Sequence, residues 1–339
     1  MDKSIQHAFN ASDRSYLSFL KREIHQLAVQ TGFSGQRLAE IDLIIAELTS
    51  NLIKHAGGGE ILVRPLGETT FHGIELISID NGPGMSNPAR MMEDGISTTN
   101  TLGHGLGSIR RLSDFFDLYT LPNWGTIVVC RIHLPNFRAP QANPTRIGSL
   151  LLPKAGEKVC GDGFAVKYVA RTLHVFLADG LGHGPEADAA TQLAIKTFQA
   201  SSSQDPVLIL REIHQAVLKT RGLVGTVGIL DPLAGNWKLC GIGNITSRLS
   251  GPNLLDLPKT FMSYNGILGG NLPRTMNEQV APYQRGQTLI MASDGLRSRW
   301  ETSRLVAIRQ HDPAVLAAAL YKDFSRKTDD ASVLIVQTP

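Results

Sequence analysis

The stretch DNGPGM occupies residues 80–85 and follows the apolar run GIELISI at 73–79. The run predicts a buried strand, and Asp80 stands where that strand ends. Gly82 and Gly84 allow the backbone to approach a ligand closely and permit positive φ angles. A carboxylate at this point can accept a hydrogen bond from an exocyclic amine such as that of adenine. The same residues also suit an ordinary tight turn, so both interpretations stand.

Upstream of this stretch, a periodic apolar pattern predicts a helix over 36–56. Glu47, Asn51 and His55 recur at every fourth residue and would share one face of that helix. Helix propensity does not account for Asn and His there, because both are indifferent helix formers. A carboxylate and an amide oxygen one turn apart suit Mg²⁺, and a solvated polar face is the alternative.

Downstream, the glycine-rich GHGLG at 103–107 precedes or opens a helix predicted over 103–114. Backbone N–H groups of such a loop, with a helix N-terminus behind them, can hold phosphate. The motif is weak by itself, because flexible loops also contain it. It has neither the Lys-Ser/Thr of a P-loop nor the βαβ setting of a dinucleotide fold.

The second half of the sequence repeats acidic residues at predicted strand ends and turns. They are Asp162 in CGDG, Asp179 in ADGLGHG, Asp294 in ASDG, and Asp329 and Asp330 in TDDAS. Any one Asp-Gly step is an ordinary turn, but the repetition indicates carboxylates that converge on one point. Such carboxylates repel one another unless cations hold them together. Because only oxygen ligands are offered, Mg²⁺ or Mn²⁺ is expected rather than Zn²⁺, and two such ions can bind phosphate and activate a water.

Composition excludes several classes of protein. The 339 residues are 42% hydrophobic and 19% charged, which is typical of a soluble globular protein and argues against disorder. Residues 1–140 carry a net charge of −2 (12 Lys/Arg, 14 Asp/Glu), and 141–339 carry +5 (21 and 16), so no nucleic-acid partner is indicated. We find no secretory signal and no membrane-spanning run, and we expect a cytoplasmic protein without membrane contact. Three widely spaced cysteines favour neither disulfides nor a zinc site.

The pattern of elements predicts an α+β protein of two domains. Residues 1–135 mix helices with strands, as expected for one sheet covered by helices. The segment 136–145, rich in Pro, Asn and Ala, is interpreted as a linker. Residues 146–339 contain many short predicted strands, which indicate two packed sheets flanked by helices. The predicted strands are 60–65, 73–80, 125–133, 147–152, 163–169, 173–178, 224–230, 236–240, 246–250, 287–292 and 332–337. The predicted helices are 12–30, 36–56, 103–114, 184–200, 205–220, 300–310 and 313–323.

The order ELTSNLIKHA, DNGPGM, GHGLG and then Gly125-Thr126 resembles the GHKL ATP-binding fold, an α/β sandwich. Over residues 5–134 it is similar to the serine/threonine kinase branch that regulates sigma factors through STAS-domain proteins. The resemblance implies that Glu47 polarises the attacking hydroxyl, that Asn51 binds Mg²⁺ and that Asp80 binds the adenine amine. It further implies that Gly82 and Gly84 lie beside the base, that Thr126 lies beneath it, and that Gly103, Gly105 and Gly107 form the ATP lid.

The set GDG, ADGLGHG, Gly243-Asn244, SDG and DDAS resembles the metal-dependent 2C-type protein phosphatases, in particular the SpoIIE-like branch. The resemblance covers residues 146–337 and implies an αββα sandwich. It implies that Asp179 bridges two metal ions, that the Gly180 carbonyl binds one, and that Asp162 acts through metal-bound water. Asp294 and Asp329 would complete the second site, although the choice between Asp329 and Asp330 is left open.

Together, the two resemblances imply a bifunctional kinase and phosphatase that uses ATP with Mg²⁺ or Mn²⁺. The expected substrate is a STAS-type anti-sigma antagonist or a related phosphoprotein in bacterial partner-switching signalling. The alternative is a phosphatase whose first domain only senses ATP or binds a sigma factor or partner, and a domain that merely docks is the third interpretation. Whether two copies form a homodimer is left open.

Overall fold

The computed structural model describes residues 5–13, 15–67, 71–91, 105–138, 145–252, 256–300 and 307–339. A π-helical turn over Leu52–Ala56 directly continues the second helix, and a 3₁₀ turn covers Ala307–Gln310. In chain order the α-helices of these residues are α1 (Leu17–Thr31), α2 (Gly35–Asn51), α3 (Pro88–Met91), α4 (Gly105–Leu112), α5 (Pro185–Ala200), α6 (Pro206–Ala216) and α7 (Pro313–Phe324).

The first half contains one antiparallel sheet with the strand order β1-β2-β3-β5-β4. Each neighbouring pair is antiparallel, and Asp80 follows directly after the central strand β3. The strands are β1 (His7–Asn10), β2 (Glu60–Leu66), β3 (Gly73–Ile79), β4 (Phe115–Leu121) and β5 (Gly125–His133).

The second half contains two five-stranded sheets, with the orders β13-β10-β9-β8-β7 and β12-β11-β14-β15-β6. Their inner faces pack on each other around Trp237, Phe164 and Leu334. The strands are β6 (Arg146–Leu152), β7 (Asp162–Val169), β8 (Thr172–Gly180), β9 (Leu223–Asp231), β10 (Asn236–Ile242), β11 (Thr246–Ser250), β12 (Lys259–Phe261), β13 (Gln279–Pro282), β14 (Thr288–Ala292) and β15 (Ala331–Gln337).

The described elements stack in layers that run through both halves. Helices α1 and α2 cover one face of the first sheet, and α5 and α6 cover the outer face of the β7 sheet. Helix α7 lies between the other face of the first sheet and the β6 sheet, in a single buried cluster that includes Ile127, Leu316 and Ile335. The two halves therefore share a hydrophobic core rather than meeting only through a linker.

The sequence of α7 explains this position. All residues from Pro313 to Tyr321 are buried, and the segment PAVLAAALY is apolar on every side. A helix of this kind must be covered on every side. The helix begins after Asp312, whose side chain accepts a hydrogen bond from Ala314 N at 2.9 Å.

A buried ionic network crosses between the halves at the start of α7. Glu75 is 1% exposed, and its carboxylate lies 2.8 Å from Arg64 Nε and 2.7 Å from Arg131 Nε. Arg131 also donates to both oxygens of Asp312, at 3.0 and 2.7 Å. Burial raises the pKa of Glu75, but the two guanidinium groups outweigh burial and hold that pKa below its usual value.

The predicted fold class is confirmed, and most predicted elements lie within two or three residues of the observed ones. Four strands were missed, namely β1, β4, β12 and β13; three of them have only three or four residues, too few for a period-2 pattern. Of the helix predicted over 300–310, residues 307–310 form the 3₁₀ turn, and 301–306 lie outside the described residues. Residues 139–144 of the predicted linker also lie outside them, so the domain boundaries stay a prediction.

We expect Arg131→Met to lower the free energy of unfolding by about 3–5 kcal/mol, because it leaves Asp312 without a guanidinium partner and leaves buried Glu75 with Arg64 alone. Urea titration followed by tryptophan fluorescence measures this change. The control is Arg138→Met, an exposed arginine of the same half, which should change stability by no more than about 0.5 kcal/mol. Equal effects of the two substitutions would contradict a role for the network.

Candidate functional site

Asp80 is fixed at the end of β3 by backbone groups. Its Oδ1 accepts hydrogen bonds from Gly82 N at 2.8 Å and Thr126 N at 3.1 Å, and its own N–H donates to Thr126 O. Its Oδ2 has no hydrogen-bond partner among the described residues. Burial raises the pKa of Asp80, and the two backbone N–H groups and the charge of Lys322 partly offset this. One carboxylate oxygen is thus held rigidly while the other stays available to a donor.

The glycines after Asp80 are required by close contacts. A Cβ at Gly82 would lie 2.8 Å from Ala56 Cα, and a Cβ at Gly84 would lie 1.9 Å from Leu121 O. Gly84 also has φ +70°, in the left-handed region that favours glycine. Thr126, beside Asp80, places its Oγ1 3.1 Å from Thr120 Oγ1. The residues after Asp80 therefore form a tight turn, and the same turn is shaped so that it could also bind a ligand.

Glu47 and Asn51 lie one turn apart on α2 and meet the start of α4. A Cβ on Gly105 would lie 3.4 Å from Asn51 Oδ1 and 3.6 Å from Glu47 Oε2. Asn51 Nδ2 is buried without a partner, which marks a polar group that a ligand or its bound ion could engage. The carboxylate and amide oxygens suit a Mg²⁺ ion held together with phosphate.

The last member of the predicted polar stripe lies beyond the α-helix. The α-helix ends at Asn51, and exposed His55 lies in the π-helical turn Leu52–Ala56, so its place on the stripe stays a prediction. Gly107 is buried within α4, and Gly103 lies outside the described residues. Ala56, at the end of the π turn, contacts the Gly82 position and so links the Asn51 end to the Asp80 end.

In the second half, four strand ends bring carboxylates to one end of the two-sheet sandwich. Asp162 begins β7 and is paired in register with Asp179 near the end of β8. Asp294 follows β14, and Asp329 and Asp330 precede β15, the antiparallel neighbour of β14. The sequence-predicted aspartates are therefore brought together rather than scattered.

The carboxylates raise one another's pKa. The pKa of Asp162 is raised mainly by burial, with further increases from Asp330 and Asp294. The pKa of Asp179 is raised by burial and by Asp162, Asp294, Asp329 and Asp330. Asp162 is 2% exposed and its Oδ2 has no partner. Such crowding is unfavourable without a cation, so the donor set fits Mg²⁺ or Mn²⁺.

The two adjacent aspartates have different surroundings. Asp330 is buried, with Oδ1 accepting from Lys154 N at 2.6 Å and Oδ2 accepting from Gly161 N at 2.8 Å. Asp329 is exposed, and its Oδ1 accepts only from Asp330 N at 3.0 Å. Because both oxygens of Asp330 already hold backbone groups, Asp329 is the one of the pair with a free carboxylate oxygen.

Two side chains near the cluster were not among the predicted site residues. Asn244 Nδ2 donates to Asp294 Oδ2 at 2.8 Å and fixes that carboxylate. His183 Nδ1 lies 2.7 Å from Glu157 Oε1 in the loop after Asp179 and Gly180. Asn244 belongs to the Gly243-Asn244 step that the phosphatase resemblance includes, so its sequence motif was a signal for a role at the cluster. Nothing in the sequence indicates that His183 pairs with Glu157.

The described residues contain neither a ready metal-binding group of side chains nor a membrane-spanning helix. Within the described ranges, no group of three or more His, Cys, Asp or Glu side chains is arranged so that these side chains alone could hold a metal ion. Ions at the aspartate cluster would therefore need other ligands too, such as the Gly180 carbonyl and water. In that same part of the chain, no helix has both the length and the apolar character to span a bilayer.

The first half thus has the fold and polar groups of a histidine kinase-like ATPase domain, and the second half those of a metal-dependent serine/threonine phosphatase. Residues 170–339 match the family model described as Stage II sporulation protein E (SpoIIE), and residues 9–132 match the histidine kinase-like ATPase domain. The chain belongs to the SpoIIE family. Its phosphatase domain is preceded by a histidine kinase-like ATPase domain.

Proteins of Bacillus subtilis (strain 168) resemble each half. Over 100 residues, the chain is 36% identical to the serine/threonine-protein kinase RsbT, covering 30% of this chain and 75% of RsbT. Over 148 residues, it is 28% identical to the phosphoserine phosphatase RsbX, covering 43% of this chain and 71% of RsbX. A solved structure of RsbX with magnesium has a TM-score of 0.50 at 22% identity and covers 60% of this chain and 99% of that one, which shows the fold alone.

We expect Asp179→Asn to raise the melting temperature of the EDTA-treated protein, because it removes a carboxylate whose ionisation is disfavoured in the folded state. Each kcal/mol gained corresponds to about 2–4 °C for a domain of this size. The substitution should also abolish the rise in melting temperature that Mn²⁺ gives the parent. Differential scanning calorimetry measures both effects.

The control for this experiment is Asp231→Asn. Asp231 Oδ1 accepts from Leu233 N and Ala234 N in the β9–β10 turn, and an asparagine oxygen can do the same. This variant should respond to Mn²⁺ as the parent does. A lower melting temperature for Asp179→Asn in EDTA, with an intact Mn²⁺ response, would show that Asp179 does not belong to a cation site.

Proposed function

We propose that the chain is a bifunctional enzyme that phosphorylates a serine or threonine of a STAS-type partner and removes that phosphate again. The observation that carries the proposal is the gathering of Asp162, Asp179, Asp294 and Asp329 at one end of a sandwich. It occurs in a chain whose other half brings Glu47 and Asn51 against Gly105. The names of RsbT and RsbX, a kinase and a phosphoserine phosphatase, support the pairing of these activities.

In the kinase half, Asp80 would accept a hydrogen bond from the adenine amine, with Gly82, Gly84 and Thr126 around the base. Asn51 would hold Mg²⁺ on the phosphates, and Glu47 would polarise the attacking hydroxyl. The lid would be formed by Gly103, Gly105 and Gly107. Phosphoryl transfer of this kind depends on positioning and charge neutralisation, which these groups can supply.

In the phosphatase half, Asp179 would hold two cations jointly, with the Gly180 carbonyl on one of them. Asp294 and Asp329 would complete the second position, and Asp162 would act through a bound water. Bound Mg²⁺ or Mn²⁺ would neutralise the phosphate and lower the pKa of a water. Asp330 would position Gly161, next to Asp162, through its hydrogen bond to Gly161 N.

The partner and the organisation of the chain follow from the same proposal. We propose a STAS-domain anti-sigma antagonist or a relative as substrate, in the cytoplasm, with domains at 1–135 and 146–339 and a linker at 136–145. Joining both enzymes in one chain keeps each at high effective concentration near a shared partner. The second candidate is a phosphatase whose first domain only senses ATP or binds a partner.

We expect Glu47→Ala to slow transfer of label from γ-³²P-ATP to a STAS partner by at least about 100-fold, the usual contribution of a catalytic acid or base. The full chain is used, with Mg²⁺, and label on the partner is followed by gel autoradiography. Asp179→Asn should let label accumulate, because removal is lost. Glu23→Ala on α1, which lies outside the site, is the matched control.

Transfer by Glu47→Ala at the parent rate would refute the role of Glu47. A stoichiometric partner complex without any transfer by the parent would favour the second candidate.

The phosphatase should lose activity in EDTA and keep it in iodoacetamide. All three thiols, Cys130, Cys160 and Cys240, are buried. Burial raises the pKa of Cys130 to about 12 and that of Cys240 to about 11, so almost no reactive thiolate exists at neutral pH. Release of phosphate from a phosphoserine peptide measures both effects. Inactivation by iodoacetamide with no effect of EDTA would contradict metal-dependent hydrolysis.

A further inference from the structure

The phosphatase half places a lysine against Trp124, the residue that directly precedes β5 of the first half. Lys322 lies in the last turn of α7, and its side chain is only 3% exposed. Its Nζ lies 4.0 Å from the centre of the Trp124 ring and 3.3 Å from Asp323 Oδ1. Its charge is near enough to Asp80 to act on that carboxyl, although burial of Asp80 is the larger influence on its pKa. The first-half site therefore borders a cation from the other half.

The same turn of α7 also fixes the backbone that holds Asp80. Trp124 Nε1 donates to both carboxylate oxygens of Asp323, at 3.1 and 2.9 Å. Trp124 stands two residues before Thr126, whose N–H holds Asp80 Oδ1. Helix α7 thus reaches Asp80 by two routes, one through charge and one through the turn that carries Trp124 and Thr126.

A lysine is an expensive residue for this position if packing is its only role. Burial lowers the pKa of Lys322, and Asp323 and Asp80 only partly offset that effect. Withdrawing an ammonium group from water is unfavourable until its partners compensate, as it is for any buried ion. A leucine or methionine would fill the space beside Trp124 without that cost, so the charge itself needs a reason.

We infer that Lys322 is a positioning residue of the nucleotide site, supplied by the phosphatase half: it packs on Trp124 in the turn that holds Asp80, and its charge favours the hydrogen-bond-accepting carboxylate there. The inference rests on the proposed role of Asp80 in binding adenine. An ionised acceptor makes a stronger hydrogen bond to the adenine amine. It also repels the oxygen that guanine carries at the same position, so Lys322 would strengthen discrimination between the two bases.

The test is a double-mutant cycle on the full chain with Asp80→Asn and Lys322→Met. Isothermal titration calorimetry with Mg²⁺ and the non-hydrolysable analogues AMP-PNP and GMP-PNP gives the dissociation constants. We expect Lys322→Met to weaken AMP-PNP binding by about 3- to 30-fold, within the range that interaction energies between neighbouring residues give. The ratio of GMP-PNP to AMP-PNP dissociation constants should fall, and Lys322→Arg, which keeps the charge, should restore most of both.

The effect of Lys322→Met should disappear in the Asp80→Asn background, because it acts through that carboxylate. Lys327→Met is the matched control, since Lys327 also bridges the halves, through Glu60 Oε2 at 2.9 Å. It should leave AMP-PNP affinity unchanged. Melting temperatures without nucleotide establish that each variant is folded, and Lys322→Gln replaces the methionine variant if that one is not.

The outcomes separate this inference from the function on which it rests. If Asp80→Asn weakens AMP-PNP binding but Lys322→Met does not, the inference is wrong and the proposed nucleotide site stands. An equal loss in the parent and Asp80→Asn backgrounds, or no rescue by Lys322→Arg, also overturns it. If the parent does not bind AMP-PNP, or Asp80→Asn binds it normally, the proposed role of Asp80 fails and the inference with it.

Discussion

Helix α7 is apolar on every side from Pro313 to Tyr321, and the rest of the structure depends on this segment being covered on every side. The β6 sheet of the phosphatase half covers one side, and the first-half sheet covers the other. Separating the halves would expose this cluster to water at about 25 cal/mol per Å² of apolar surface. It would also break the pair between Arg131 and Asp312. The halves are thus held as neighbours by the same physics that forms a domain core.

The aspartate cluster shows the opposite balance, because folding there brings together groups that repel. Asp162 and Asp179 are adjacent across a strand pair, and the other two strand ends add more negative charge. Strand register leaves them no freedom to move apart, since a slip by one residue would turn every inward side chain outward. The repulsion among these carboxylates lowers the stability of one end of the sandwich, and the packed core between the two sheets compensates for that loss. The gain is a set of carboxylate oxygens at one end of the sandwich that a cation could share, with other ligands completing its coordination.

The features of the fold and the sites that depend on local sequence patterns could be predicted from the sequence. Asp80 at a strand end, Glu47 and Asn51 one turn apart, and the Asp-Gly steps could all be placed, because strand and helix periods fix which side chains share a face. The π turn after Asn51 could not be predicted, because five residues are too few to show the periodicity of a π-helix. Asp329 and Asp330 could not be distinguished, because their difference lies in distant backbone groups, Lys154 N and Gly161 N. The all-apolar α7 was predicted as a helix, but its significance for the contact between the halves was missed.

The end of α7 lies between the two sites, and this has a physical consequence. On one side, Asp323 anchors Trp124 next to the Asp80 turn. On the other, Phe324 O accepts from Arg297 N at 2.9 Å and Arg326 N donates to Gly295 O at 2.8 Å, beside Asp294. Packed interiors transmit strain rather than absorb it, so the position of this helix end constrains the backbone beside both sites. The connection between the two sites is short, through groups already in contact, and it does not require the halves to separate.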